Sequence, residues 1–233
     1  MTNISKQRTF NGAELKLVAM WTMLVDHVAA VIIETTSLYQ STGFQMLAVV
    51  CRLIGRLSFP IICFLLIEGF CHTTDLKKYI IRMGAFALLS ELPFDLAFFG
   101  KPDIQRQNVF FTLLTGLLLL SVLKKAETIE PSSVIRNFIM IVAVLAACAL
   151  TTLGRFDYSY MGILLIAALY YFRGDRRKQC MAGSILSLYE LTAVLAFLFI
   201  GRYDGKKGEL KIPKNIFYIF YPIHLLLLVF IRG

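Results

Sequence analysis

The sequence predicts an all-α, polytopic integral membrane protein, with about eight transmembrane helices in one bundle that takes up the whole chain, 1–233, as a single membrane domain. Three observations predict it. Of 233 residues, 58% are hydrophobic and only 17% are charged, with a mean hydropathy of +0.70, which is far more apolar than an ordinary soluble domain. Apolar runs close to the roughly 20 residues that cross a bilayer recur along the whole length. No internal repeat, low-complexity tract or polar block marks off a second module.

The spans read, in order, 14–33, 46–68, 76–99, 107–123, 136–153, 157–172, 180–200 and 215–231. The first carries Asp26 and His27, which the uncharged core of a secretory signal would not, so it is expected to be a retained helix. The second holds Arg52, Arg56 and Glu68; the third follows Lys77 and Lys78 and holds Arg82, Glu91 and Asp95. The fourth begins beside Asn108, and the fifth carries no charge after Arg136. The sixth is short for a full crossing. The seventh carries Glu190, and the eighth carries His224 two residues after Pro222, a proline that frees a carbonyl in its helix. Met1-Thr2 and Arg232-Gly233 carry no lipidation signal.

A net charge of +9 would suit a nucleic-acid partner. The basic residues crowd instead into short loops between apolar runs, where they set orientation and meet anionic headgroups. Membrane lipids are therefore the expected partner, and nucleic acid is not. Cys51, Cys63, Cys71, Cys148 and Cys180 form no Cys-x-x-Cys pair and no ligand spacing with histidine, so no metal is expected and the cysteines read as small packing residues.

With the N-terminus inside, eight crossings put Lys6, Arg8, Lys77, Lys78, Lys124, Lys125, Arg136, Arg173, Arg176, Arg177, Lys178 and Arg232 on the inner side. The outer side receives Lys101, Arg106, Arg155, Arg202, Lys206, Lys207, Lys211 and Lys214, and five of those eight fall in the single loop 201–214. That loop contradicts the positive-inside rule, either because it sits outside against the trend or because span six or seven does not cross.

Ionisable residues in a bilayer are costly and mark function by default. Here they share one depth. Folding the first two spans about Tyr39–Gln40 sets Asp26 opposite Leu53 and His27 opposite Arg52; folding the next pair about Thr73 sets Arg56 opposite Ser90 and Arg52 opposite Phe94. Glu91 and Asp95 fall level with the arginines, and both pairs are spaced i,i+4 on one helix face. The expectation is that Arg52 and Arg56 meet Glu91 and Asp95 across helices two and three, beside Asp26 and His27. Such a ladder can also simply clamp two helices together. Glu68 and Arg82 read as a separate structural pair, and Glu190 finds no obvious partner.

These residues carry a resemblance to the TraX family. It lies in Leu15-Lys16-Leu17-Val18-Ala19-Met20 leading to Leu24-Val25-Asp26-His27, in Arg52-Leu53-Ile54-Gly55-Arg56-Leu57-Ser58-Phe59-Pro60 continuing to Glu68-Gly69-Phe70, and in Glu91-Leu92-Pro93-Phe94-Asp95-Leu96 followed by Gln107-Asn108-Val109-Phe110-Phe111-Thr112. Tyr203-Asp204-Gly205-Lys206-Lys207-Gly208 and Phe217-Tyr218-Ile219-Phe220-Tyr221-Pro222-Ile223-His224-Leu225 complete it. The resemblance is strong over 14–115 and 200–228 and vague over 125–200. A looser similarity, Lys16 eleven positions before His27, links the first helix to membrane acyltransferases that acetylate surface glycans, which carry Arg at the first position.

The resemblance implies a bacterial cytoplasmic-membrane enzyme that moves an acetyl group from acetyl-CoA to an envelope or pilin-like acceptor, an amine or a hydroxyl. In that reading His27 is the general base. Arg52 and Arg56 serve the oxyanion or the donor's phosphates. Asp95 or Glu91 orients His27, with Asp26 less suited, and His224 positions substrate. Lys16, Lys77, Lys78, Arg173, Arg176 and Arg177 are candidates for the donor. Two other classes compete: a small proton-coupled transporter, which buried acids, arginines and histidines also build, and a non-catalytic assembly factor of a conjugation or secretion apparatus.

Overall fold

A computed structural model of the protein describes residues 9–129, 133–209 and 216–233; the topology signals expected of Lys6, Arg8, Lys211 and Lys214 lie outside them. Among the described residues the fold is helical, with no strand and two isolated bridges. Helices occupy each of the eight predicted stretches. Four stretches are long and apolar enough to cross a membrane: Gly12–Ile33, Thr42–His72, Val109–Ala126 and Val134–Leu153.

Helix α1, Gly12–Val28, starts at a capping box: Asn11 accepts from the Ala13 and Glu14 amides, and Glu14 reaches back to the Asn11 amide. It runs on through a π-helical turn, Ala29–Ile33. Helices α2, Thr42–Gly55, and α3, Ser58–His72, are one predicted span broken at Arg56 and Leu57. Pro60 explains the break: it has no N–H for the carbonyl four residues back, which belongs to Arg56. Helix α4, Leu76–Phe99, is capped by Asp75, whose carboxylate accepts from the Lys78 amide and so sits below the usual range. Helices α5, Val109–Ala126, α6, Val134–Leu153, and α7, Ser159–Tyr171, follow.

Helices α3, α5 and α7 supply most of the centre, through Ile61, Phe64, Ile67, Leu117, Leu120, Ile163, Ile166 and Leu169. Helices α2 and α6 are peripheral: α6 buries only Ala147 and Thr151 and turns Phe138, Leu145 and Leu153 outward. Apolar side chains exposed this way lose nothing against hydrocarbon.

The seventh predicted span is not one helix. It is α8, Arg176–Leu186, a 3-10 stretch, Leu188–Leu195, and α9, Ala196–Ile200, with a reversal at Glu190 and Leu191, where Leu191 has φ 43°. Its two limbs lie side by side. A Cβ on Gly183 of α8 would overlap the Phe197 ring of α9, and one on Gly201 would lie 3.7 Å from the Cys180 sulfur. The segment therefore leaves and returns at one end of the bundle. Arg176 at its start lies over the Tyr203 ring beyond its finish, and the loop after it bonds to the chain before α1: Phe10 N to Arg202 O, Gly12 N to Lys206 O, and Asp204 N to Phe10 O.

Loop 201–209 thus sits at the same end as Gly12, and α10, Ile216–Arg232, starts from that end. At the other end Gln107 pairs with Arg155 and Asp157. Arg232 joins that second group, donating to the carbonyls of Leu96 and Ala97. The expected positions of Arg202, Lys206, Lys207 and Arg232 are all reversed. Twelve described cations, Lys77, Lys78, Lys124, Lys125, Arg136, Arg173, Arg176, Arg177, Lys178, Arg202, Lys206 and Lys207, now gather at one end, against Lys101, Arg106, Arg155 and Arg232 at the other. The described part of the loop that contradicted the positive-inside rule, 201–209, now obeys it.

Candidate functional site

A part-buried contact joins two histidines that stand 197 positions apart. His27 Nδ1 and His224 Nε2 are 2.6 Å apart, with ring planes at 7°. His224 Nδ1 lies 2.6 Å from the Phe220 carbonyl oxygen. A carbonyl only accepts, so His224 Nδ1 carries a proton and its Nε2 accepts from His27 Nδ1. The network leaves the lone pair of His27 Nε2 free. The phenyl ring of Phe220 stacks on His224, and Phe98 and Tyr221 stand edge-on to His27. His224 is therefore the immediate partner of His27. Neither Asp95 nor Glu91 orients it, contrary to expectation.

The charges around this pair meet differently from the predicted ladder. Arg52 donates to Asp26 at 2.5 Å and has Glu34 at 3.7 Å. Arg56, at the break between α2 and α3, donates to Glu190 at 2.9 Å, and Thr192 donates to the Leu53 carbonyl. The tip of the reversed segment thus fills the gap in the broken helix, which gives irregular backbone at bilayer depth a protein lining. Glu91 accepts from the amide and side chain of Asn108, at the start of α5. Asp95 accepts from the Asp103 amide in the following turn. Helix α2 packs on α1, while α4 packs on α5 and α10, so the arginines face α1 and the hairpin tip rather than the acids of α4. Asp26, ranked below the other acids, is an ion-pair partner adjoining His27. An added Cβ at Gly55 would overlap its side chain.

Two cavities meet here. The larger, of about 560 Å³, runs along α1 from Gly12 past Lys16 to Met23, between α3, α4, α5 and α10. Lys16, Arg82 and Lys207 line it, with Glu68, Tyr79 and Tyr218. The smaller, of about 40 Å³, is lined by Asp26, His27, Gly55, Ser58, Asp157 and Tyr158 among others. Met23, Ile62, Val109 and Tyr221 belong to both linings, so the two spaces adjoin across these four side chains. Asp26 Oδ1 is buried there with no hydrogen-bond partner, an acceptor left for a bound group. Tyr158 stacks on Phe59 at 3.5 Å, and Arg155, Tyr158 and Ser159 hold φ of 52°, 61° and 43°. Positive φ in non-glycine residues is strained, and such strain gathers at sites.

Several expected site residues stand apart from both cavities. Arg52 and Arg56 are taken up by carboxylates. Arg173 pairs with Glu127, and Lys78 with Asp75 on the surface. Arg176 lies over Phe64 and Tyr203 with Glu68 at 4.0 Å, so Glu68 does not pair with Arg82. Lys77 and Arg177 line neither space. Of the candidates for the donor, Lys16 alone lines the larger cavity. Asp157, Tyr158 and Tyr221 were not given site roles; the signal for the first two was the polar turn Arg155–Ser159 between two apolar runs, and Tyr221 stood in the motif that carries His224.

Residues 11–232 match the model of the family described as TraX protein. The chain is 28% identical over 259 aligned positions to the "Probable fimbrial assembly protein FimC, serogroup H1" of Dichelobacter nodosus, with 97% of each chain covered. No solved structure matches. The histidine pair and the pockets therefore sit in a chain whose match runs from the cap of α1 to the last residue of α10, and the protein belongs to the TraX family.

Proposed function

We propose that this protein is a membrane-embedded acetyltransferase that moves an acetyl group from acetyl-CoA to an envelope acceptor, either the N-terminal amine of a small membrane protein or a glycan hydroxyl or amine. The observation that carries the reading is a cavity lined by Lys16, Arg82 and Lys207 that adjoins the smaller space lined by His27, whose partner is His224. The basic end lies in the cytoplasm and the chain sits in the bacterial cytoplasmic membrane. The bundle crosses seven times, with α8–α9 as a re-entrant hairpin, in place of eight crossings.

The acceptor's N–H or O–H attacks the thioester carbonyl, and His27 Nε2 takes the proton as the new C–N or C–O bond forms. His224 holds the required tautomer. The C–S bond then breaks, and the leaving thiolate takes the proton back from His27. Tyr221, at the junction of the cavities and the N-terminus of α5, is placed to donate to the oxyanion. Asp26, held by Arg52, keeps one oxygen for the acceptor. Arg52 and Arg56 act by positioning Asp26 and Glu190.

The relative's name, a fimbrial assembly protein, suits a pilin-like acceptor. It also supports a second reading, in which the chain assists assembly without chemistry. The test is thermal stabilisation of the purified protein by CoA, with mass spectrometry of envelope proteins and glycans from cells with and without the chain. CoA stabilisation and a lost +acetyl species are expected. No CoA binding and an unchanged acetylation profile would overturn the acetyltransferase reading and leave the assembly factor and the transporter.

A further inference from the structure

The larger cavity is lined by three cations, Lys16, Arg82 and Lys207, that no acid among the described residues neutralises. Lys16 lies with its ammonium 4.7 Å from the Phe217 ring, and Arg82 rests over Tyr218 and Tyr79 at 5.3 and 5.6 Å. Lys207 comes from the loop pinned beside Gly12. Among the described residues, none of the three has a carboxylate within 4 Å, whereas the neighbouring Arg173 is neutralised by Glu127. Glu68 is the one acid in the lining, and it faces Arg176. Like charges held round one space without counterions repel, and an anion of more than one charge relieves that repulsion. Guanidinium and ammonium groups are the donors that hold phosphate.

We infer that Lys16, Arg82 and Lys207 form the seat for the phosphates of the acyl donor, and that the distance from this seat to His27 is matched to the donor's pantetheine arm. This rests on the acetyltransferase reading above, and it replaces Lys77, Lys78, Arg173, Arg176 and Arg177 as the donor's contacts. Lys16 and His27 stand on one helix, eleven positions apart, a rise of about 16–17 Å. The arm between the inner phosphate and the thioester sulfur is an extended chain of about thirteen bonds, which at the per-bond reach of an extended backbone covers about 15 Å. A phosphate held at Lys16 and Arg82 therefore brings the thioester to the histidine pair, and a shorter arm leaves it stranded in the apolar stretch of the cavity.

The test uses the full-length protein in detergent, with CoA, 3′,5′-ADP, pantetheine and a CoA analogue lacking the β-alanine unit as probes. CoA and 3′,5′-ADP are expected to bind and pantetheine only weakly, with affinity falling as salt rises. Arg82→Gln, Lys16→Gln and Lys207→Gln should each weaken CoA on the order of 10–100-fold, while Lys178→Gln, a surface control, should not. Arg82→Lys keeps the charge and should recover part of the loss, which separates charge from folding. The shortened analogue should bind like CoA, yet its acetyl form should not be turned over. If wild-type protein binds no CoA, the acetyltransferase reading fails. If it binds CoA and the three glutamine variants bind equally well, this assignment alone fails. Displacement of CoA by phosphatidylglycerol nanodiscs, but not by 3′,5′-ADP, would make the seat a lipid headgroup site and overturn it. Turnover of the shortened donor at the normal rate would overturn the length match.

Discussion

Replacing Gly55 by alanine tests how the polar site is held together. Gly55 is the last residue of α2 and lies against Asp26 of α1. Two effects oppose each other. Alanine favours a helix over glycine by about 0.5–1 kcal/mol. The new methyl, however, would overlap Cβ, Cγ and Oδ1 of Asp26. Cβ is fixed to the α1 backbone, so rotation about the side chain cannot clear it, and one helix must move. Overpacking of this kind costs about 1–3 kcal/mol, so the steric term wins and the bond from Arg52 to Asp26 lengthens. For a chain of this size that is a drop in Tm of roughly 2–10 °C, read by thermal melting in mild detergent. The cause is checked in an Asp26→Gly background, which removes all three overlapping atoms. There Gly55→Ala should cost almost nothing, a coupling within the range of directly touching residues. A Gly55→Ala protein that melts with the wild type, or that loses the same amount in both backgrounds, would refute this packing.

Three further outcomes follow from the geometry. His27→Ala should lower acetyl transfer about 10²–10⁴-fold with helicity and membrane insertion retained, and His224→Ala should fall by a smaller factor because the base survives without its tautomer partner; equal turnover by His27→Ala removes His27 from the mechanism. Cysteines placed at Gly205 and at Lys77 should react with an impermeant thiol reagent from the same, cytoplasmic, side, and one at Gln40 from the opposite side; labelling of Gly205→Cys together with Gln40→Cys would restore eight crossings. Glu190→Gln leaves Arg56 half-buried without its counter-charge, so it should be less stable than wild type by about 1–3 kcal/mol and melt lower, the loss being smaller than for a fully buried pair because Arg56 is 33% exposed; an unchanged melting point would show that the hairpin tip does not anchor the break.

The apolar stretches were legible because the bilayer imposes a length, and helices occupy all eight of them. The shared depth of Asp26, His27 and Arg52 was legible too, since two helices joined by a short loop must run antiparallel. Matching depths fixes height but not azimuth, and that is where the ladder to Glu91 and Asp95 went wrong: the arginines face α1 and the hairpin tip. Glu190 had no visible partner because the spans that carry it and Arg56 are far apart in sequence, and no local pattern says that the two pack together. The reversal at Glu190 and Leu191 has no glycine or proline between Gly183 and Gly201 to announce it; its sequence mark was the cluster of cations in loop 201–214. Pro60 was read as part of a motif, while its physical effect, a broken helix with Arg56 at the gap, needed the carbonyl four residues back. His224 was read as a substrate-positioning residue; its bond to His27 joins distant helices, and no local pattern encodes such a contact.

The 197-position separation of the two histidines has a consequence for assembly. Membrane helices insert as independent units and associate side by side afterwards, held by packing and a few polar contacts rather than by water. Each helix closes its own backbone bonds before that second step. The His27 ring acquires its partner only when α10 docks on α1, and the hairpin tip reaches Arg56 only when α8 settles on α7 and α9 on α3. Agents that loosen lateral association, such as a harsher detergent or a bilayer of unsuited thickness, should therefore silence the protein while its circular dichroism still reads as fully helical. Loss of turnover at constant ellipticity would report the docking step alone.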